Sequence, residues 1–334
     1  MKRAGNLYES IAARENLRLA FCKAARGKHD RQEVIQFREA LEDNLAKLQQ
    51  QLVRQKPDIG HYHFFQVRDP KPRSICAASF PERVLHHAVM NICEPVLDRY
   101  AIHDSYACRK GKGSVRALER ARWFTRKNNW YLKLDIRRYF DSIDQETVIR
   151  LLCRRFKDKP LLHLFEDLLA TYHTEPGKGL PIGNLISQHL ANFYLGHFDH
   201  WIKETLRVRC YLRYMDDFIL FAENRLQLRQ HLISLRAFLD TQLRLQPKDN
   251  VQLNRCRHGV PFLGFRVYPS RLKLGVRSKK RFRVKFRQYE QKFLAGQWTE
   301  KELIRHMEPL FGFSFIASSH GFRKHVIQRY GVLS

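Results

Sequence analysis

Two adjacent carboxylates, Asp216 and Asp217, interrupt a pair of strand-like segments. Before them Val208, Cys210 and Leu212 alternate with Arg207, Arg209, Tyr211 and Arg213, the period of a half-buried strand. After them Phe218-Ile-Leu-Phe-Ala222 is continuously apolar, as a strand buried on both faces would be. The pattern is a β-hairpin with the carboxylates at its tip. Aspartate is common in turns, but two like charges side by side repel unless a cation sits between them. Asp135 closes a second alternating segment, Trp130-Tyr-Leu-Lys-Leu-Asp-Ile136. If both segments are neighbours in one sheet, Asp135 faces Asp216. Carboxylate oxygens with no nearby Cys or His suit Mg²⁺, which leaves room for phosphates. Two such ions about 3.5–4 Å apart would activate a primer hydroxyl and stabilise a leaving pyrophosphate.

The elements that must position these groups follow from periodicity. Asn16–Phe21 and Val34–Val53 read as helices, the second with an apolar stripe at Val34, Phe37, Leu41, Leu45, Leu48 and Leu52. His61–Val67 alternates, Arg68–Arg73 is a proline-punctuated turn, and a strand resumes at Ser74. A helix from Phe80 to Leu97 carries Pro81 in its first turn and is interrupted near Pro95. Ser114 is placed to cap a helix running to Lys127. Asp141 and Asp144 read as helix caps rather than ligands, because they stand where a turn enters the helix Gln145–Phe156. Leu151–Tyr172 is mostly helical, Glu175–Gly179 is a loop, and another helix spans Ser187 to Leu206. Gly183, just before it, permits the close backbone approach that a nucleotide-lining turn needs. Gln227–Leu243 is helical and Leu245–Leu253 extended. Arg271–Lys292 holds ten Lys/Arg against one Glu; Val284 and Phe286 alternate with Arg283, Lys285 and Arg287, and a helix is the alternative. Leu303–Tyr330 is helical, with a break at Phe311-Gly312-Phe313.

Composition narrows the class. The chain has 334 residues, 44% of them hydrophobic, and carries 61 Lys+Arg against 33 Asp+Glu, a net charge of +28. So large an excess points to a densely negative partner, nucleic acid being the commonest. An anionic membrane would call for a basic amphipathic helix with a clean apolar face, and none dominates. No run of eighteen apolar residues exists, so no membrane span is expected. Met1–Asn6 lacks the apolar stretch of a signal peptide. Seven scattered cysteines without a Cys-x-x-Cys pair suit a reducing compartment, and a cytoplasmic location is expected. His61 and His63 lack a Cys, Asp or Glu placed to complete a zinc set. Gly111-Lys-Gly-Ser114 lacks the order of an NTPase phosphate loop.

Tyr214-Met-Asp-Asp217 resembles the YxDD box of reverse transcriptases, and Leu134-Asp-Ile-Arg-Arg-Tyr-Phe-Asp141 resembles their first palm motif. Gly179-Leu-Pro-Ile-Gly-Asn-Leu-Ile-Ser-Gln188, followed by Ala191-Asn-Phe-Tyr-Leu195, resembles the motif between them. One four-residue box is weak; three in the right order are strong. The Ile-Gly…Ser-Gln variant and the compact length resemble the reverse transcriptases of diversity-generating retroelements. The resemblance implies an α+β right-hand polymerase, with fingers, a ferredoxin-like palm built on an antiparallel sheet, and a small helical thumb. It divides the chain into an N-terminal helical segment (1–55), fingers (56–130 and 145–178), palm (131–144 and 179–265) and basic thumb (266–334).

It also implies roles. Asp135, Asp216 and Asp217 would be catalytic. Asp135 and Asp216 would hold two Mg²⁺ ions (Mn²⁺ as substitute) with help from the Ile136 carbonyl, while Asp217 supports the site. Lys71 and Arg73, with Arg68 less well placed, would meet the triphosphate of the incoming deoxynucleotide; a planar guanidinium fork suits phosphate oxygens, and a solvated basic turn is the alternative. Phe140 would lie under the sugar and exclude a 2′-hydroxyl, core packing being the alternative. Ile182 stands where many members have Gln, beside Gly183, at the nucleotide. Lys248 would reach the pyrophosphate or be merely solvated. Val260–Phe265 matches the Phe-Leu-Gly strand that supports the primer end. Arg109, Lys110, Lys112 and Gln188 would face nucleic acid, as would Lys279, Lys280 and Arg281 in the thumb. The implied activity is RNA-directed DNA synthesis, with template RNA, primer or cDNA and deoxynucleoside triphosphates as partners, a small basic accessory protein, and no membrane. A retron- or phage-defence-type reverse transcriptase is the rival within the class. An inactive RNA-binding protein is the rival outside it, although such a chain would not need all three carboxylates.

Overall fold

The computed structural model describes residues 2–68 and 72–331. Four helices open the chain: α1 (Tyr8–Ala12), α2 (Arg14–Ala25), α3 (Gln32–Glu39) and α4 (Leu41–Val53). The stripe from Val34 is therefore two helices, not one. Ala40, at φ −116° and ψ 44°, leaves helical geometry between them. Val34 and Phe37 are buried from the first, and Leu45, Leu48 and Leu52 from the second. β1 (Tyr62–Arg68) and β2 (Pro72–Ala78) pair antiparallel, from Tyr62 opposite Ala78 to Arg68 opposite Pro72. Lys71, expected at the tip, lies outside the described residues.

α5 (Phe80–Tyr100) runs on through Pro95 instead of breaking there. An interior proline costs roughly 3 kcal/mol. Val84, Leu85, Ala88, Val89 and Cys93 are all buried, and that burial holds the helix together. α6 (Ser114–Lys127) has the expected span, but Ser114 is its first helical residue and not its cap. Gly113 takes the cap position at φ 96°, a backbone conformation glycine adopts without strain. β3 (Trp130–Asp135), α7 (Tyr139–Ser142), α8 (Gln145–Cys153), α9 (Lys159–Ala170) and α10 (Leu185–His200) follow. α10 continues as a π-helical turn over Trp201–Thr205. Asp144 caps α8 as expected, its Oδ1 accepting from the Thr147 N–H at 2.8 Å.

The hairpin β4 (Tyr211–Tyr214) and β5 (Asp217–Ala222) comes next, then α11 (Arg225–Leu243) and β6 (Gln252–Arg255). Three short strands, β7 (Val260–Phe262), β8 (Phe265–Val267) and β9 (Leu272–Leu274), form a second antiparallel sheet. Leu263 and Gly264, both at positive φ, make the turn between β7 and β8, so Phe-Leu-Gly is a hairpin corner and not one strand. α12 (Val276–Leu294), α13 (Glu300–Phe315) and α14 (His320–Tyr330) end the chain. The basic segment is thus a helix. Phe282 and Phe286, four residues apart, both turn inward and pack with Val326, Leu310, Phe311 and Phe322. Phe311 and Gly312 lie inside α13; the break falls after Phe315, not at Phe311–Phe313.

The chain forms two compact units, Met1–Arg109 with Asp135–Val208 and Ile233–Asp249, and Lys110–Leu134 with Arg209–Leu232 and Asn250–Ser334. The first holds the opening helices, the β1–β2 hairpin, α5 and α7–α10. The second holds α6, α12–α14, the β7–β9 sheet and a four-stranded sheet of order β4-β5-β3-β6. No helix among the described residues is long and apolar enough to cross a membrane.

Candidate active site

In the second unit, Tyr214 pairs with Asp217 across the hairpin, which leaves Met215 and Asp216 as its two-residue turn. Met215 takes φ 56°, an expensive conformation for a residue with a Cβ. The surroundings that impose it are on both sides of the turn. Tyr211, Leu212 and Phe218–Ala222 are buried, and Arg213, fully buried, donates from Nη1 to the Met215 carbonyl at 2.9 Å. Asp216 is thereby held at the tip and Asp217 at the first strand position. Lys133 of β3 donates to Asp217 Oδ2, with side chains only 13% and 23% exposed, and its ammonium also lies 5.4 Å from the Phe262 ring centroid. Neither Lys133 nor Arg213 stood out in the sequence. The available signal was the alternation of β3, which puts residues 133 and 135 on one face.

In the first unit, Asp135 is held by the segment 246–248. The Lys248 N–H donates to the Asp135 carbonyl at 2.8 Å, the Arg137 N–H donates to Gln246 at 2.8 Å, and Ile136 bridges Pro247. Lys248 Nζ stands 2.5 Å from Asp135 Oδ2. Lys248 is therefore the counter-charge of Asp135. Asp135 Oδ1 is buried and has no hydrogen-bond partner among the described residues. Such an oxygen costs about 1–3 kcal/mol unless something satisfies it. A hard cation would, so an oxygen-only donor set suited to Mg²⁺ or Mn²⁺ fits this residue. Among the described residues no group of three or more His, Cys, Asp or Glu side chains stands ready to hold a metal. Asp135 and Asp217 carry lysines instead.

The motif before α10 is docked on β2. The Cys76 N–H donates to the Ile182 carbonyl at 2.7 Å, and the Ala78 N–H donates to Asn184 Oδ1 at 3.0 Å. Gly183 sits at φ 121°, and a Cβ there would stand 2.7 Å from Ile75 Cγ2. A Cβ there would also stand 3.2 Å from the Cys76 carbonyl oxygen, so the close approach is to the Ile75 side chain and the Cys76 backbone of β2. Tyr139 is buried and donates to the Ala191 carbonyl at 2.5 Å, while its neighbour Phe140 stays partly exposed. Asp144 is bound by Arg244 Nη1 at 2.7 Å. Burial alone would raise its carboxyl, but hydrogen bonds from Thr147 and Arg244 outweigh that and hold it below the usual carboxylate range.

The basic residues separate into two groups. The Arg109 guanidinium is spent internally, on Asp98 Oδ1 at 2.5 Å and on the carbonyls of Ile102 at 2.6 Å and Ser105 at 2.9 Å. Gln188 Oε1 accepts from Cys108 Sγ at 3.5 Å. Lys279 lies 5.6 Å from the Phe322 ring centroid and helps close the α12–α14 core. Arg73, Lys110, Lys280 and Arg281 are exposed, and Lys112 is half-buried.

The family described as "Reverse transcriptase (RNA-dependent DNA polymerase)" matches residues 55–267 of this chain. Protein YkfC of Escherichia coli is 22% identical over 276 residues, covering 67% of this chain and 72% of that protein. The putative COX1/OXI3 intron 1 protein of Saccharomyces cerevisiae is 27% identical over 154 residues, and the match covers 42% of this chain and 18% of that protein. The group II intron-encoded protein LtrA of Lactococcus lactis is 26% identical over 150 residues, with 43% of this chain and 25% of LtrA covered. In several of its curated relatives the chain therefore matches a quarter of the length or less. A solved telomerase from Candida albicans shares the fold at TM-score 0.52 and 11% identity, covering 83% of this chain and 58% of its own.

Proposed function

We propose that this chain, which belongs to the reverse transcriptase (RNA-dependent DNA polymerase) family, copies RNA into DNA by adding deoxynucleotides to a primer 3′-hydroxyl. The observation that carries the reading is the buried, unpartnered Oδ1 of Asp135, in a chain that also presents Asp216 on a strained turn. Asp135 and Asp216, with the Ile136 carbonyl, would hold two divalent ions; Asp217 steadies the turn through Lys133. Mg²⁺, or Mn²⁺, bound there would activate the primer hydroxyl and neutralise the leaving pyrophosphate. Lys248 keeps the Asp135 carboxylate aimed before any cation arrives.

In the same reading, Arg73 and Lys71 meet the triphosphate, and Phe140 lies under the sugar. Ile182 and Gly183 line the base pair, and Lys110, Lys280 and Arg281 neutralise template and primer phosphates. Fingers (56–130, 145–178), palm (131–144, 179–265) and thumb (266–334) follow the N-terminal helices (1–55). Ile182 and Gln188 further support a diversity-generating enzyme working with a small basic accessory protein. Primer extension on RNA and DNA templates, with and without Mg²⁺, tests the activity. Asp216→Ala should abolish synthesis and leave RNA affinity near wild type, because phosphate neutralisation is carried elsewhere. Substantial synthesis by that variant would remove Asp216 from the site. Extension on DNA but never on RNA would overturn the template assignment.

A further inference from the structure

A cavity of about 470 Å³ opens in the first unit among the ends of α5, α8 and α10 and the side of α11. None of the carboxylates discussed above lines it. Its walls carry three arginines, Arg99, Arg154 and Arg155, against one carboxylate, Glu204. Glu204 is already committed to His200 Nδ1 at 2.6 Å, so the guanidiniums dominate the local field. That field is felt by His197 on the same wall. Burial first, and then the charges of Arg154, Arg150, His200 and Arg155, hold its imidazolium below the usual range.

Most of the remaining lining is aromatic. Tyr100 stacks on His200 with centroids 4.4 Å apart, and Arg155 lies over the Tyr100 ring at 3.7 Å. Trp201 stacks on Phe238, also at 4.4 Å. Trp201 opens the π-helical turn, a distortion common at functional sites. With Arg155 over the Tyr100 ring, Arg99 and Arg154 offer forks that match phosphate oxygens. Ring faces beside them match a base, which stacks on aromatics regardless of its identity. A purely acidic peptide would use the arginines and leave the ring faces idle.

We propose that this cavity binds a nucleotide unit, its base stacked against the Trp201–Phe238 pair and its phosphate held by Arg154 with Arg99. The unit is either a free nucleoside monophosphate or one residue of a single RNA strand. 4-Thiouridine monophosphate and a short RNA carrying one 4-thiouridine, photocrosslinked to the full chain, separate the two sources. The readout is crosslink yield at Tyr100, Trp201 or Phe238, since other surfaces of a chain with net charge +28 also attract RNA. Arg154 is exposed, so Arg154→Glu is tolerated by the fold, and it should cut that yield at subsaturating ligand roughly tenfold. Glu204→Gln removes the one opposing charge and should raise it. A monophosphate that crosslinks as well as the strand identifies the free ligand; a strand that alone crosslinks identifies RNA. Crosslinks only outside the cavity, an Arg154→Glu yield equal to wild type, or equal losses in both variants would each overturn the proposal.

Discussion

Replacing Lys248 by Ala separates two roles that its position allows. The lysine holds Asp135 twice, through Nζ on Oδ2 at 2.5 Å and through its N–H on the Asp135 carbonyl at 2.8 Å. Alanine removes only the first bond, so the strand-like pairing of 135–137 with 246–248 persists. The two side chains are 41% and 34% exposed, which places the ion pair among partly screened ones worth about 0.2–1 kcal/mol. A divalent ion binding Asp135 must displace or share that ammonium. Without it, the Mg²⁺ concentration for half-maximal primer extension should fall by up to about fivefold, because 1.4 kcal/mol is a factor of ten. The rate at saturating Mg²⁺ should change little. The assay is single-turnover extension across a Mg²⁺ series for wild type and Lys248→Ala. If Lys248 instead protonates the departing pyrophosphate, the saturated rate should drop by roughly 10²–10⁴-fold with no shift in Mg²⁺ demand. That second pattern would refute the counter-charge account.

Phe140→Ala should raise ribonucleotide incorporation more than it harms deoxynucleotide use, read from competition between the two; unchanged discrimination would make Phe140 a packing residue. Ile182→Gln adds a side chain able to hydrogen-bond the incoming nucleotide. Sequenced cDNA should show roughly five- to tenfold fewer misincorporations, about 1 kcal/mol of added discrimination, and an equal error spectrum would reject the idea. On α12, Lys280→Ala should lower the salt slope of RNA binding by roughly 0.7–0.9, while Lys279→Ala, which loses its seat on Phe322, should chiefly lower thermal stability. Equal slopes for wild type and Lys280→Ala would mean that Lys280 faces only solvent. Asp144→Ala should cost about 0.5–2 kcal/mol at neutral pH through loss of the helix cap, the solvent-screened Arg244 pair adding little. Because the folded carboxyl lies below its unfolded value, this stabilisation is present above the ordinary carboxylate range and is lost as pH falls through the folded value. Urea unfolding of both proteins at pH 7 and pH 3 should therefore show the gap narrowing in acid; a constant gap would count against it.

The sequence by itself determined what depends on neighbours a few residues away. The Tyr214–Asp217 hairpin was legible because an alternating segment and a continuously apolar one on either side of a short polar break have few other solutions. The Asp144 cap was legible because its partner, Thr147, is three residues along. Phe282 and Phe286 carried a helical spacing too, but five residues of alternating charge imitate a strand, and only packing against α13 and α14 chose between them. Pro95 marked a break that α5 does not make, because buried side chains on the rest of the helix outweigh one lost backbone bond. Tertiary structure alone decided who neutralises whom. Lys248 finds Asp135 across 113 residues of sequence and Lys133 finds Asp217 across 84. Arg109 turns inward while Lys110 beside it stays exposed. A sequence shows that a side chain is charged; which opposite charge it meets depends on chain segments brought together only by folding, and no local preference encodes that choice.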